Sequence, residues 1–549
     1  MIEIPKKEDL LIEFKSDQKS LPDRELAAAV VALANTDGGK LYLGVEDDGT
    51  VTGLHSNHTN TQGLAAVVAN HTNPSLSVRV EIMEIQGLQV ARIDVPKSRQ
   101  LVSTSEGLLQ RRRLMANGTP EAIPFYPHEF PQRQSSLGLI DISAMPCPEA
   151  KLQDLNPLER QRLRQMVARY GGDQALLSLA DDELDRVLGM TIDVDGEQQP
   201  TMTGMLLLGK EEGLRRLVPT HEVAFQVLEG TDVRQNTFYH SPLLQTFESV
   251  LQHFETKIEE EELQVGLFRV PVPNFEKRAF REAFVNALIH RDYARLGAVH
   301  VRLEDNYLTI SNPGGFVEGV NLDNLLVVEP KPRNPLLADV IKRIGLAERT
   351  GRGIDLIYTG LLRFGRPVPD YSRSDSTSVV LRMSNVAADI DFLKIIIQEE
   401  ERSQRPMPLD SLIVLARLRT ERRLTNADLT HSTQKSEGET RAAIEALVEA
   451  GLIEAHGSGR GRSYTLSARI YRKTGKKAAY VRQAGFDVIQ QEQMVMQFIA
   501  KHGRIKRADV IELCQLTGPQ AYRLLQRLTT AGKIIQKGRK RHTFYEESA

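Results

Sequence analysis

The sequence predicts a multidomain α+β protein. At 549 residues the chain is too long for one hydrophobic core, so three to five domains are expected. Strand-like and helical patterns alternate as far as about residue 385, after which helices with short strand-like ends take over. The hydrophobic fraction of 41% and the charged fraction of 26% are ordinary for a folded, water-soluble chain. These observations divide the chain into five segments, with boundaries near residues 130, 270, 385 and 470.

The composition argues against several classes of protein. No apolar run approaches the length of about 18 residues that a membrane helix needs, and the N-terminus lacks the apolar stretch of a signal peptide. The two cysteines, Cys147 and Cys514, predict neither a disulfide framework nor a cysteine zinc site. We therefore expect a cytoplasmic protein with no membrane partner.

The first segment, residues 1–130, predicts a domain of strands around an alanine-rich helix. The run RELAAAVVALANTDGG predicts a helix that stops at Gly38 and Gly39. The run KLYLGVEDDGTVTGL then predicts a hairpin that turns at Asp48 and Gly49.

Three consecutive arginines, Arg111, Arg112 and Arg113, follow in the same segment. Because three adjacent guanidinium groups cannot all be buried, we expect them to contact phosphate.

Residues 131–270 predict a connecting α/β region. Helical patterns alternate there with two strand-like runs, MTGMLLLGK and EVAFQVLEG. A run rich in proline and polar residues, PFYPHEFPQRQSS, separates this region from the first domain.

The segment 271–385 carries a polar pattern with a chemical meaning. In the run REAFVNALIHRDY, Glu282, Asn286 and His290 are four residues apart and therefore share one face of a predicted helix. An asparagine oxygen is a suitable ligand for Mg²⁺ that bridges phosphates, and a neighbouring glutamate can orient or deprotonate a water molecule. The sequence thus predicts a magnesium–nucleotide face on this helix.

Two glycine turns accompany the helix. Gly314 and Gly315 let the backbone approach a flat ligand. The run ERTGRGID provides a second turn with Arg349 and Arg352, and it leads into a helix whose N-terminus favours anions. The run TSVVLRM predicts the last strand of this segment.

The last two segments, residues 386–470 and 471–549, repeat one plan. Each has a helix with apolar residues at positions i, i+3 and i+4, then Ala-Gly, an apolar pair and a basic glycine turn before a tyrosine-containing strand. This is the plan of a winged helix-turn-helix domain, whose helix enters the major groove while its wing contacts phosphate. From Arg460 onward there are 19 Lys and Arg against 6 Asp and Glu, which indicates a polyanionic partner. The alternative is a solvated basic surface.

The second repeat presents polar residues away from its leucine stripe. Glutamine and arginine at such positions suit base edges, because each forms bidentate bonds to adenine or guanine. The candidates for base contacts are Gln520, Arg523, Gln526 and Arg527. The candidates for phosphate contacts in the wing are Lys537, Arg539, Lys540 and Arg541. The first repeat is less basic, and a structural role is the alternative for it.

The central motifs resemble those of the GHKL ATPase fold. EAFVNA resembles its Glu-x-x-x-Asn box, and NPGGF and TGRGI resemble its two later glycine boxes. The resemblance implies a Bergerat-type α/β sandwich that binds ATP, with Mg²⁺ on Asn286 and Glu282 as the catalytic base. The other residues that it places beside the nucleotide are Asn312, Gly314, Gly351 and Gly353. Asn312 departs from the aspartate that binds the adenine amino group, and Ile289 replaces another aspartate of the fold.

The N-terminal runs EFKSDQ, ALANTDGG and LLQRRRLMANGT resemble the Schlafen-type AlbA-like domain, which implies nucleic-acid binding. In nuclease-active Schlafens two glutamates precede Phe-Lys and an aspartate follows on the next strand. Glu8, Glu13 and Asp47 fit this pattern, which implies a divalent-metal site for phosphodiester hydrolysis. The alternative is that Glu13 is tied to Lys15 and that the other two are surface and turn residues.

The order of these domains resembles that of bacterial proteins that are predicted to regulate transcription. We therefore expect a regulator that binds ATP with Mg²⁺ and nucleic acid, with DNA favoured over RNA. Both families tend to self-associate, so a homo-oligomer is expected. The alternative function is a Schlafen-like, metal-dependent nuclease in phage defence, and a third is a scaffold that binds nucleic acid without catalysis.

Overall fold

A computed structural model describes residues 5, 7–115, 118–265, 268–348, 351–421, 423–457, 462–467, 470, 488–514, 516–538 and 543–548. The chain divides into two compact units, Met1–Ile142 and Ser143–Ala549. The first unit extends beyond the boundary expected near residue 130, because the residues that follow bond back to it. Arg133 donates to the carbonyl oxygen of Ser98 at 3.1 Å.

The first unit is a four-stranded sheet against which two helices pack. Its elements are β1 Ile12–Lys15, α1 Asp23–Ala34, β2 Gly39–Leu43, α2 Thr61–Asn70, β3 Thr72–Asn73, β4 Arg79–Ile85, β5 Leu88–Val95, β6 Ser103–Thr104, β7 Gln110–Leu114, β8 Pro120–Pro124 and α3 Phe130–Ser136. The strand order is β1-β2-β5-β4, with β1 and β2 parallel and the other pairs antiparallel. Leucines and valines of α1 and α2 and the inner residues of β2 and β5 form its core.

The turn after α1 explains the paired glycines of this domain. The predicted helix is confirmed, and it ends at Ala34. The side chain of Asn35 then bonds the backbone of Val102 in both directions, at 2.7 and 2.9 Å. A Cβ on Gly39, whose φ is 144°, would collide with the carbonyl oxygen of Leu11. The predicted turn at Asp48 and Gly49 is also present, although only one bridge flanks it.

The second unit begins with a mixed α/β region. Its elements are α4 Pro157–Tyr170, α5 Asp181–Val187, β9 Thr191–Val194, β10 Glu197–Pro200, α6 Met202–Leu208, α7 Glu211–Leu217, β11 Val223–Glu229, β12 Asp232–Tyr239, α8 Leu243–Glu255, β13 Glu260–Val265, β14 Phe268–Pro273, α9 Lys277–His290, β15 Val299–Glu304, β16 Tyr307–Pro313, α10 Pro335–Ile344, α11 Gly353–Leu362 and β17 Ser378–Ser384. A five-stranded sheet has the order β12-β11-β15-β16-β17. The predicted helix α9 and the predicted last strand β17 are confirmed.

Two expectations for residues 131–270 are corrected by this arrangement. The boundary expected near residue 270 falls inside one sheet, because β11 pairs in parallel with β15. The run MTGMLLLGK is not a strand but contains α6, a short helix whose residues 203–208 are all buried. A helix that is buried on every side shows no apolar periodicity, so its sequence resembles that of a buried strand.

Two helical modules follow the sheet. Their elements are α12 Ile390–Ser403, α13 Leu409–Thr420, β18 Leu424–Thr425, α14 Asn426–Thr433, α15 Glu437–Glu449, β19 Ile453–His456, β20 Ser463–Leu466, α16 Val488–His502, α17 Arg507–Cys514, α18 Gly518–Thr530, β21 Ile534–Lys537 and β22 Phe544–Glu547. The first module, α13 to β20, shares one hydrophobic core with the sheet domain. The second module, α16 to β22, has a core of its own. The predicted apolar positions Ile444 and Leu447, like Leu524, Leu525 and Leu528, are buried in these cores.

Among the described residues, every helix is too short or too polar to cross a bilayer.

Candidate nucleotide site

Helix α9 presents the predicted polar stripe because its opposite face is anchored in the core. The helix begins after Glu276, whose carboxylate accepts from the backbone N–H of Ala279 at 2.6 Å. The rings of Phe254 and Phe280 stack with their centroids 3.6 Å apart, and Phe284 stacks on Phe247. This apolar packing fixes the rotation of α9 and turns Glu282, Asn286 and His290 towards a cavity.

The cavity has a volume of about 190 Å³, which is room for a ring-sized ligand. It lies between α9, α11, the end of β16 and the segment that follows β16. Of the residues predicted from the sequence, those that line it are Glu282, Asn286, His290, Asn312, Gly315, Gly351 and Gly353. The structure therefore brings three separate motifs together around one space.

Glu282 is held at the entrance to α11. This residue is 5% exposed, and its carboxylate accepts from the backbone N–H of Glu348 at 3.3 Å. A Cβ on Gly353 would collide with this carboxylate, so a larger residue at the start of α11 would displace the side chain of Glu282. Burial raises the pKa of Glu282, and the hydrogen bonds from Glu348 and Asn286 oppose the rise. A carboxylate with a raised pKa is the better proton acceptor.

Asn312 lies at the end of β16, opposite Val379 of β17, and is 5% exposed. Its amide nitrogen donates to the carbonyl oxygen of Pro313 at 3.2 Å. In this orientation the side-chain oxygen remains to accept from an amino group of a ligand in the cavity.

The two glycines after Asn312 have different roles. Gly314 does not line the cavity, which departs from its predicted position beside the nucleotide. Its φ is 93°, and a Cβ there would lie 2.8 Å from the Cβ of Asp292, so it allows the turn after α9 to pack closely. Gly315 lines the cavity, and its carbonyl oxygen accepts from Arg333 at 2.9 Å. Arg349, another predicted contact, lies outside the described residues.

Much of the cavity wall was not predicted. The segment after Gly315 contributes apolar side chains, and α11 and β17 add more; these are Phe316, Val317, Val320, Leu325, Leu326, Val328, Ile354, Ile357, Val379 and Leu381. The lining also holds charged groups of both signs: Lys331 and Lys342, and the carboxylates of Glu282, Glu329, Glu348 and Asp355. Burial, together with the cations of Arg333 and Lys342, lowers the pKa of His290 to about 4, so this ring is neutral at pH 7. The run FVEGVNLDNLLVV, apolar and directly after a glycine turn, was the available signal.

Two of the three carboxylates proposed for a nuclease are bonded to neighbours within the first unit. Glu8 accepts from the backbone N–H of Phe14 at 2.7 Å, and Glu13 forms ion pairs with Lys15 and Arg112. Among the described residues, no group of three or more His, Cys, Asp or Glu side chains is placed to hold a metal ion. Asp47 belongs to the turn after β2. Glu13 is thus tied to Lys15 and Asp47 lies in a turn, as the alternative describes, but Glu13 also pairs with Arg112 and Glu8 is half-buried.

The three consecutive arginines are separated by the alternation of strand β7. Arg112 points inward with a side chain 1% exposed, and it donates to the carbonyl oxygens of Asp9 and Ile12 at 2.7 and 3.1 Å. Its expected phosphate contact is therefore corrected, because its donors are used inside the unit. Arg111 is ion-paired with Glu129 on the other face, and Arg113 is exposed.

Some candidate nucleic-acid contacts on α18 and in the wing are exposed, whereas others are bonded within the module. The side chain of Gln520 caps α18 by accepting from Thr517 at 2.8 and 2.9 Å. Arg523 is exposed, Arg527 pairs with Glu492 at 3.2 Å, and Lys537 pairs with Glu546 at 2.6 Å. Gln526 donates to the hydroxyl of Tyr522 at 2.8 Å. The wing residues Arg539, Lys540 and Arg541 lie outside the described residues.

Comparison with protein-family models identifies three regions. Residues 8–115 match the model described as "Schlafen, AlbA_2", and residues 133–224 match a domain of unknown function. Residues 297–382 match the model described as "Putative ATP-dependent DNA helicase recG C-terminal". The chain therefore combines an AlbA_2 domain with an ATPase-like domain, as the motifs predicted. The match over residues 297–382 contains Asn312 and both glycine turns, but it begins after Glu282 and Asn286.

Among solved structures, one of nearly full length shows a similarity of fold. The DIP2311 protein from Corynebacterium diphtheriae is 21% identical with a TM-score of 0.52, and the alignment covers 98% of this chain and 95% of that one. The N-terminal domain of a RecG-related protein from Nitrosomonas europaea is 24% identical with a TM-score of 0.16, and covers 18% of this chain and 72% of that one. No curated protein matches the chain.

Proposed function

We propose that this protein is a regulator that binds ATP with Mg²⁺ beside α9 and binds DNA through its C-terminal module. One observation carries the nucleotide part: residues from three motifs far apart in sequence line a single cavity. The packing of α9 against β15 and β16 supports a GHKL-type sandwich. The match to an ATPase-like family model supports it independently.

The lining of the cavity suits a purine nucleotide. Its apolar walls can enclose the base, and the side-chain oxygen of Asn312 can accept from the amino group of adenine. Asn286 offers a neutral oxygen to Mg²⁺, which commonly takes few protein ligands because phosphates and water supply the rest.

Glu282 is the residue that can make this site an ATPase. Its carboxylate reaches the cavity one helical turn from Asn286, and its raised pKa suits it to take a proton from water. The ammonium groups of Lys331 and Lys342 can offset the negative charge of the phosphates.

The first test is calorimetry of ATP with Mg²⁺ on the wild type and on Asn286→Ala. Loss of a polar contact to a charged ligand raises the dissociation constant by about 10- to 100-fold. The control is Asn236→Ala, since this residue lies on the exposed strand β12 and should leave the affinity unchanged. A well-folded wild type that binds no nucleotide would refute the proposal.

The two helical modules differ in charge, and this difference supports DNA binding by the second. Helix α15 of the first module carries four glutamates and one arginine, whereas α18 of the second has two arginines and no acidic residue. An acidic helix is repelled by phosphate, while a basic one is attracted. We assign a winged-helix arrangement to both modules and the reading of DNA to α18 alone.

The salt dependence of DNA affinity tests this assignment. Replacing Arg523 or Lys537 by alanine should lower the slope of log affinity against log salt by about 1 for duplex DNA. The matched control is Arg441→Ala, an exposed arginine on α15, which should leave the slope unchanged. Fluorescence anisotropy with DNA and RNA duplexes of one sequence gives the slopes. Equal losses from Arg441 and Arg523 would show that both modules bind.

A further inference from the structure

The segment 316–332 forms one wall of the cavity and also bonds to the first helical module. Leu325 and Leu326 line the cavity. The side chain of Gln434, in the turn between α14 and α15, accepts from the backbone N–H of Leu326 at 2.9 Å. The same side chain donates to the carbonyl oxygen of Leu322 at 2.7 Å. The amide oxygen and the amide nitrogen of one glutamine thus both connect the cavity wall to the module.

Gln434 is firmly set within the module. It ends α14 in the left-handed region, with a φ of 57°, which is uncommon for a residue other than glycine. Two residues later Ser436 begins α15 with a capping box that includes Glu439. The hydroxyls of Thr433 and Thr440 bond each other at 2.8 Å inside the core. A movement of Gln434 therefore moves both helices.

A second wall of the cavity contacts the same module. Helix α11 packs against α13, and Asp355 of α11 lines the cavity. Lys435, next to Gln434, pairs with Asp410 of α13 at 2.8 Å. Burial raises the pKa of Asp355, and the cations of Arg352 and Lys435 oppose the rise. The module α13–α15 thus contacts two walls of the cavity.

We propose that the module α13–α15 responds to the occupancy of the cavity, with Gln434 as the coupling residue. This inference rests on the proposed nucleotide function and names the device that regulates it. A ligand that orders the segment 316–332 favours the position of the module that Gln434 holds, and by linkage the module favours the ligand equally. The acidic surface of α15 suits this internal role and not the reading of DNA.

The test compares two glutamines in the same backbone conformation. Gln434→Gly removes the coupling side chain, and Gln404→Gly is the control. Gln404 ends α12 with a φ of 54°, and its side chain donates only to the local carbonyl oxygen of Glu401. Glycine accepts both conformations without strain, so both variants are expected to fold.

Hydrogen exchange with and without ATP and Mg²⁺ is the readout. In the wild type and in Gln404→Gly, the ligand should slow amide exchange in α14 and α15. In Gln434→Gly this slowing should disappear, and calorimetry should show a dissociation constant about three to ten times higher. If ATP binds but α14 and α15 do not respond, or respond equally in Gln434→Gly, the coupling is overturned. If the wild type binds no nucleotide, the proposed function itself fails and this inference falls with it.

Discussion

Replacing Glu282 by glutamine is expected to lower ATP turnover by about 10²- to 10⁴-fold. Glutamine has the same shape and still accepts from the backbone N–H of Glu348, so ATP should bind with nearly unchanged affinity. What it loses is the ability to take a proton from the attacking water. The measurement is phosphate release beside calorimetric affinity, which separates the chemical step from binding.

The pH dependence of turnover gives a second check on Glu282. The base must be deprotonated, and burial raises its pKa above the ordinary value of 4.5. The wild-type rate should therefore fall as pH is lowered through this raised pKa, above the range of an exposed glutamate. The control is Glu212→Gln on the exposed face of α7, which should match the wild type. Turnover that survives in Glu282→Gln would assign the hydrolysis to another group.

The parts of this site that could be predicted from the sequence are those fixed by local geometry. Glu282 and Asn286 share a face in any α-helix of that register, so their convergence needs no tertiary information. The apolar run from Phe316 to Leu326 indicates a buried segment, but its place at the cavity could not be predicted, because Leu326 bonds to Gln434, more than a hundred residues later. The parallel pairing of β11 with β15 was missed for the same reason: it joins segments separated by α8 and α9.

Replacing Arg112 by methionine is expected to destabilise the unit Met1–Ile142 by about 3–5 kcal/mol. The change leaves the carboxylate of Glu13, which is 8% exposed, without its buried cation. It also removes the donor to the carbonyl oxygens of Asp9 and Ile12. Amide exchange of α1 and β2 in the full chain reports the stability of this unit, and these amides should lose most of their protection.

The neighbouring Arg113 supplies the control for this effect. It lies on the same strand with an exposed side chain, so Arg113→Met should change the stability by less than about 0.5 kcal/mol. Adding Glu13→Gln to Arg112→Met should restore part of the lost protection, because a neutral amide costs less to leave unpaired than a carboxylate. The opposite result would be equal amide exchange of α1 and β2 in the two arginine variants, with nucleic-acid binding weakened only in Arg112→Met. In that case Arg112 contacts the nucleic acid and does not stabilise the interior of the unit. Burial favours the stabilising role, since a guanidinium that is 1% exposed cannot reach phosphate while the unit is folded.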